Sequence, residues 1–345
     1  MATSSNLGPA GPFFFYFLRS ITLSRFAKTA PLNLSGQTAI ITGGYSGIGY
    51  KCAEILLSNE LSHLIITVRS EKKGNDAAAK LRRLNPKAKI EVWSLDMLSY
   101  DSIQAFVKRC NNDLPRIDFV ILNAGMVSGE FSLNESTGHE VCFQVNYLST
   151  ALLTILLLPI LKAKRNSKQD KPSRITMVGS GLALSANFPE RNSQSVIRAF
   201  DSAGYFNSLD RYSTTKLLLL IFVSKLAPFV DASDVVVNVV DPAFVATPGL
   251  DRNIPAYLRY INGLSRMLVA RSIQAGAWAY ADAAAVQPSS THGSWLANWQ
   301  VYAFPKVMYS PEGKQASDTM WEETLEDLDW AGVRGILSAM GKRNA

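Results

Sequence analysis

The fold turns on Thr38-Ala-Ile-Ile-Thr-Gly-Gly-Tyr-Ser-Gly-Ile-Gly49. An apolar run of the buried type ends in Thr42, and Gly43, Gly47 and Gly49 then turn the chain into a helical pattern. Glycine accepts positive φ and lets a phosphate approach the backbone closely. The helix that follows offers unpaired N–H groups and a positive dipole end to a dinucleotide pyrophosphate. The bland alternative is a tight strand-to-helix connection. A strand before the turn and a helix after it supply the context that cofactor binding requires.

Outward from this turn the chain alternates between strand and helix patterns. Strands are expected at Thr38–Thr42, His63–Val68, Lys89–Ser94, Ile117–Leu122, Arg174–Val178, Val235–Val240 and Ser294–Ala297. Helices are expected at Ile48–Ser58, Glu71–Leu84, Ser99–Cys110, about Thr137 to Leu161, Tyr212–Leu226 and Ile273–Ala285. Strands rich in Ile and Val, each followed by a helix, imply a parallel sheet covered on both faces. No internal repeat, low-complexity linker or composition shift marks a second domain. The expectation is α/β, a single doubly wound domain at residues 36–330, with an N-terminal extension at 1–35 and a C-terminal tail at 331–345.

The 345 residues are 47% apolar and 18% charged, a globular composition. The net charge of +7 is scattered, which weakens a nucleic-acid reading and suits an anionic cofactor or lipid surface as well. Cys52, Cys110 and Cys142 lack the short spacing of a disulfide framework or zinc site. A reducing, cytoplasmic setting is the simpler inference. His63, His139 and His292 form no ligand motif, so no metal is expected.

Within the extension, Pro12-Phe-Phe-Phe-Tyr-Phe-Leu18 is strongly apolar yet too short to span a bilayer. Arg19, Arg25 and Lys28 follow, with no acidic residue before Glu54. Three readings stay open: an arm packing its aromatics on the domain, an interfacial membrane anchor, or an organelle transit segment.

Further signals carry chemistry. Val68-Arg69-Ser70 stands where dinucleotide folds meet the adenosine ribose. Arg69 in place of an acidic residue pairs with a 2′-phosphate and favours NADP(H) over NAD(H); its alternative is a solvated loop arginine. Tyr212-Ser-Thr-Thr-Lys216 puts a phenol and an ammonium on one helix face. The cation would lower the phenol from its ordinary pKa of about 10, making it a usable acid or base; the alternative is an exposed helix pair. Ser180 ends the fifth strand, where its hydroxyl can meet a substrate carbonyl. Asn146 is an amide inside an apolar helix, either functional or a structural hydrogen bond.

In this order, these motifs resemble the short-chain dehydrogenase/reductase family. Thr42-Gly-Gly-Tyr-Ser-Gly-Ile-Gly49, Asn123-Ala-Gly125, Asn146, Ser180, Tyr212, Lys216 and Asp241-Pro-Ala-Phe-Val-Ala-Thr247 carry the likeness. It covers about Leu34 to Leu328, although Ala243 stands where many members have glycine. Val68-Arg69-Ser70, Gly293-Ser-Trp-Leu and Trp321–Leu328 look like retinol-dehydrogenase-type and fungal biosynthetic reductases. The resemblance implies a Rossmann-type sheet of seven parallel strands in the order 3-2-1-4-5-6-7 and hydride transfer at nicotinamide C4. Tyr212 would protonate the carbonyl oxygen, Ser180 would orient it, Lys216 would bind the ribose and Asn146 would hold a relay water. Thr42, Gly43, Tyr45, Ser46, Gly47, Ile48, Gly49, Ala124, Gly125 and Val245 would contact the cofactor. Asp96 would lie at the adenine, Asn123 along the cofactor and Thr247 near the carboxamide. The helices at Thr137 and Tyr212 resemble a pair that forms family dimers; burial within one subunit is the alternative.

Ser180 and Tyr212 are 32 residues apart, with Ala186–Arg211 inserted. This insertion either lines the substrate site or is a surface loop. Residues 248–270 fall where the family places its lid, and Tyr257, Leu258, Tyr260, Leu264 and Met267 either give it an apolar inner face suited to a bulky ketone or alcohol or pack the lid onto the core. The expected function is an NADP(H)-dependent ketoreductase of secondary-metabolite biosynthesis. The alternatives are a membrane-associated retinol- or steroid-like dehydrogenase and a non-catalytic NADP(H)-binding protein.

Overall fold

Short Ile- and Val-rich runs form the strands β1 (Thr38–Ile41), β2 (His63–Val68), β3 (Lys89–Ser94), β4 (Phe119–Leu122), β5 (Ser173–Val178), β6 (Val235–Asp241) and β7 (Ser294–Ala297). The computed structural model describes residues 3–22, 31–165, 171–245 and 270–341. All seven strands run parallel in the order 3-2-1-4-5-6-7. An eighth, β8 (Gln300–Tyr302), departs from the expectation by pairing antiparallel with β7 at the edge. Asn298 and Trp299 turn this hairpin with φ of 54° and 61°. Such turns match the strand twist but usually contain glycine, so Asn-Trp hides the hairpin from a sequence reading.

Strand side chains alternate between two cores. Ile40 enters one core while Ala39 and Ile41 enter the other; Val235, Val237 and Val239 of β6 face the first and Val240 the second. Nine helices of eight or more described residues cover these faces: α1 (Phe13–Thr22), α2 (Gly47–Ser58), α3 (Glu71–Leu84), α4 (Tyr100–Asp113), α5 (Val141–Ala163), α6 (Ser208–Leu226), α7 (Ile273–Ala281), α8 (Pro311–Asp327) and α9 (Val333–Met340). Apolar residues of α2, α3 and α7 fill one core; those of α4, α5, α6, α8 and α9 fill the other.

Helix α5 starts at Val141, later than expected, because Glu140 caps it: its carboxylate accepts the N–H groups of Cys142 (3.0 Å) and Phe143 (2.8 Å). This helix is long and apolar enough to cross a bilayer, yet it is buried inside the protein. Residues read as a C-terminal tail include α9, which packs Val333, Leu337 and Met340 into the core beside α5. The middle of α6, from Leu217 to Val223, is also buried. The packing is thus the within-subunit alternative for both helices.

The insertion is part of the core. Phe188 and Phe200 are buried, and Phe200 stacks on Phe143 of α5 with ring centroids 4.3 Å apart. Arg211, the residue before Tyr212, is buried with Glu140 (3.6 Å) and Glu190 (3.2 Å), and its guanidinium lies 4.4 Å from the Phe200 ring centre. Burial pushes both carboxyls above their usual range while Arg211 pulls them down. Removing one member of such a cluster costs about 3–5 kcal/mol, because the remaining charges stay buried. A second tie joins the insertion to α8: His139 Nδ1 meets Asp201 at 2.9 Å and Nε2 meets Asp327 at 3.2 Å.

Burial alone would lower the His139 pKa, but the bonds to Asp201 and Asp327 overcome it and raise the imidazole to about 9. A raised histidine stabilises the fold fully below its unfolded value of about 6.5, and the contribution is lost as pH rises through the folded value. His139→Gln is therefore expected to lower stability by roughly 2–3 kcal/mol at pH 6 and by little above the folded pKa. Urea denaturation across this range checks it; an equal loss at both ends would contradict a charged His139.

Candidate active site

The glycine turn is built against β2 and β4. Gly43 and Gly47 have φ of +66° and +60°, and a β-carbon on Gly49 would lie 2.6 Å from Asn123 Nδ2. The Asn123 amide donates to the Thr42 carbonyl at 2.9 Å, and the Ala124 N–H donates to Thr42 Oγ1 at 2.9 Å. From β2, Thr67 Oγ1 accepts the Gly43 N–H at 3.3 Å. The Ser46 hydroxyl makes no capping bond to α2, and Gly47 faces open space. The first turn of α2 therefore presents its N–H groups beside a backbone free of side chains, which fits a dinucleotide pyrophosphate. Tyr45 and Ile48 are half-buried at its rim. Arg69 is exposed at the end of β2 with no ion pair among the described residues. After β3, Asp96 is held by its N–H donating to Ser102 Oγ (2.9 Å) and its Oδ1 accepting from Leu98 N–H (3.0 Å).

The carboxyl edge of β4, β5 and β6 carries the second half of the site. Helix α6 carries Tyr212 and Lys216 one turn apart, and Lys216 Nζ is 5.6 Å from the Tyr212 ring centre. Ser180 follows β5 and caps the turn Gly181–Ser185, accepting the Leu182 N–H at 3.2 Å; its side chain also hydrogen-bonds with Tyr212. A β-carbon on Gly125 would fall 3.2 Å from Asn146 Oδ1 and 3.6 Å from Lys216 Nζ, so these groups converge beside Asn123-Ala-Gly125. Residues remote in sequence thus meet in one place.

Two expectations change in detail. Asn146 sits in a π-helical turn, Gln144–Leu148, within α5; such turns are frequent at functional sites. Its amide clamps Met126, accepting from the N–H and donating to the carbonyl at 2.8 Å each, and donates to Thr215 Oγ1 at 3.1 Å. Asn146 therefore holds the backbone after β4. The Tyr212 phenol stands above its ordinary range: burial raises it most, Asp241 and Cys142 add to this, and the bond with Ser180 opposes them. Burial lowers the Lys216 ammonium to about 8, and it donates to the Val178 carbonyl at 2.8 Å.

Asp241, named above only as the start of its motif, has a role that sequence reasoning missed: it is fully buried at the end of β6. It accepts the Ala243 N–H at 2.9 Å, the Gly181 N–H and the Tyr16 hydroxyl, and it faces Arg271. Burial pushes its carboxyl above the usual value while these partners pull it down. Ala243 has φ +64°, the left-handed conformation that suits the glycine of many family members; alanine there costs roughly 1–2 kcal/mol. An acid closing the run Val235–Val240 was the available signal, because a buried charge needs partners. Val245 bridges to Arg271. Thr247 and the lid at 248–270, apart from the buried Ala270, lie outside the described residues.

Comparison with known proteins agrees with this geometry. Residues 37–190 match a family model described as short chain dehydrogenase. The short chain dehydrogenase/reductase mfmJ of Annulohypoxylon moriforme is 43% identical over 343 residues, covering 99% of each chain. The short chain dehydrogenase virL of Hypocrea virens is 42% identical, over 91% of this chain and 92% of its own. Among solved structures, a putative NAD(P) dependent gluconate 5-dehydrogenase from Beutenbergia cavernae, with bound NADP, has a TM-score of 0.58 at 17% identity, covering 78% of this chain and 97% of its own. The NADPH-dependent 3-quinuclidinone reductase of Rhodotorula rubra gives 0.58 at 20% identity, over 81% and 98%. These two likenesses concern the fold.

Proposed function

We propose, from the premise that this chain belongs to the short-chain dehydrogenase/reductase family, that it is an NADP(H)-dependent oxidoreductase interconverting a ketone or aldehyde with an alcohol on a hydrophobic small molecule. Within that activity we read a ketoreductase of secondary-metabolite biosynthesis working in the cytoplasm; free, buried Cys52, Cys110 and Cys142 are consistent with a reducing compartment. The observation that carries the reading is the meeting of Ser180, Tyr212 and Lys216 beside the glycine turn, at the carboxyl edge of a parallel sheet.

The turn Thr42–Gly49 and the start of α2 would hold the pyrophosphate, and Asn123-Ala-Gly125 would lie along the cofactor. Arg69 would pair with the 2′-phosphate, Asp96 would meet the adenine, and Val245 with Thr247 would meet the carboxamide. NADP in one solved neighbour and NADPH dependence in another support the same cofactor. When bound, the nicotinamide supplies or accepts hydride at C4. In reduction the Tyr212 phenol gives its proton to the carbonyl oxygen. The Ser180 hydroxyl orients that oxygen, and the Lys216 ammonium stabilises the phenolate left behind while holding the nicotinamide ribose.

Tyr212→Phe is expected to lower NADPH-dependent reduction across a ketone panel by about 10²-fold or more, with NADPH binding and melting temperature retained. Undiminished turnover would remove Tyr212 as the acid. An inert wild type that still binds NADPH would favour the non-catalytic alternative.

One observation favours membrane-surface contact as a second reading: Phe14, Phe15 and Leu18 of α1 are exposed together. Full-length protein should co-sediment with anionic liposomes, and Phe14→Ser with Phe15→Ser should reduce that. Equal sedimentation of the two would end this reading.

A further inference from the structure

Helix α1 is ten residues long. That is below the length at which an isolated helix holds in water, so docking stabilises it. Its docked face carries Tyr16 and Ser20, both buried, with half-buried Phe13 and Phe17 beside them, while Phe14, Phe15 and Leu18 are exposed. The Tyr16 ring packs against Trp295 and Tyr302, with centroids 5.9 and 5.1 Å away, and those two rings also touch each other. It also covers Gly181, where a β-carbon would strike it. Its hydroxyl donates to Asp241, the carboxylate that also accepts the Gly181 N–H. Gly181 is the residue after Ser180 and opens the turn that Ser180 caps.

We propose that Tyr16, carried by the N-terminal helix, is a positioning residue of the active site. It fixes the Ser180 turn by pressing its ring on Gly181 and its hydroxyl on the carboxylate that holds the Gly181 N–H. The inference rests on the assignment of Ser180 and Tyr212 to carbonyl reduction. Two independent features support it. The contact is specific, because a ring seats where only glycine leaves room. It is also buried, so water cannot readily replace the phenol on a carboxylate that is itself fully enclosed. The groups around Asp241 and Tyr212 are Lys216 on the same helix as Tyr212, Cys142 on α5, Tyr280 on α7 and Arg271 just before α7. The three atoms nearest a β-carbon on Gly181 all belong to the Tyr16 ring.

The test uses full-length protein with NADPH. Tyr16→Phe keeps the ring and removes the hydroxyl; Ser4→Ala loosens the arm elsewhere, where Ser4 Oγ accepts the Trp295 N–H at 2.8 Å. Hydrogen exchange of peptides containing Gly181 is compared with NADPH affinity and with reduction of phenanthrenequinone. In Tyr16→Phe, exchange at Gly181 should rise at least about tenfold and kcat should fall by about 3–30-fold, converted from one lost hydrogen bond. NADPH affinity should stay within twofold, and Ser4→Ala should change none of these. Unchanged protection at Gly181, or an equal change in Ser4→Ala, would overturn the positioning role. So would a parallel loss of NADPH affinity, which marks general loosening. Wild type that binds NADPH but does not reduce the quinone counts against the carbonyl assignment, while the exchange comparison still decides the role of Tyr16.

Discussion

A carboxylate buried at the end of an apolar strand is the constraint on which the site depends. Asp241 closes β6, and stranding such a charge in the interior costs several kcal/mol unless donors surround it. The chain supplies them from separate places: Tyr16 from the N-terminal helix, Gly181 from the turn after β5, Ala243 from the loop after β6, and Arg271 from the segment before α7. Each group recruited to Asp241 is fixed in space, and Ser180 and Tyr212 lie within that fixed region. The strained Ala243 follows the same logic, since in its left-handed conformation its N–H donates to Asp241 at 2.9 Å.

The site also draws rigidity from the other core. Arg211 anchors the insertion immediately before Tyr212, and Glu140 serves both as its partner and as the cap of the helix carrying Asn146. The first turn of α6 is thereby tied to the start of α5. The departure from the family's spacing between Ser180 and Tyr212 thus adds core and leaves the active helix in place. Buried ionic groups seldom raise net stability over apolar ones. Here they link elements whose relative position the chemistry needs.

Much of the fold was legible because its signals are local. Ile- and Val-rich strands, a glycine turn and Tyr-x-x-x-Lys spacing follow from short-range sterics and periodicity, and the order of seven strands followed from the family likeness. What escaped was either long-range or atypical locally. The β7–β8 hairpin uses Asn298-Trp299 without glycine. Helix α5 begins at a cap read as helix interior. In the aromatic run, the buried face belongs to Tyr16 and Ser20, a preference visible only once β6 and β7 are in place. Spacing alone does not show that the Asn146 amide reaches the Met126 backbone 20 residues away, a contact visible only once β4 and α5 are in place. Spacing shows an ammonium near the Tyr212 phenol but not the burial and the Asp241 charge that raise that phenol.

The central claim is that the glycine turn and Arg69 make a site for a phosphorylated dinucleotide beside Tyr212. Calorimetric titration of wild type and Arg69→Asp with NADPH and NADH tests it most directly. Wild type should bind NADPH at least about tenfold more tightly than NADH, a difference of roughly 1.4 kcal/mol for one lost phosphate contact, and Arg69→Asp should reverse the order. Folded wild type that binds neither dinucleotide would contradict the account at its foundation.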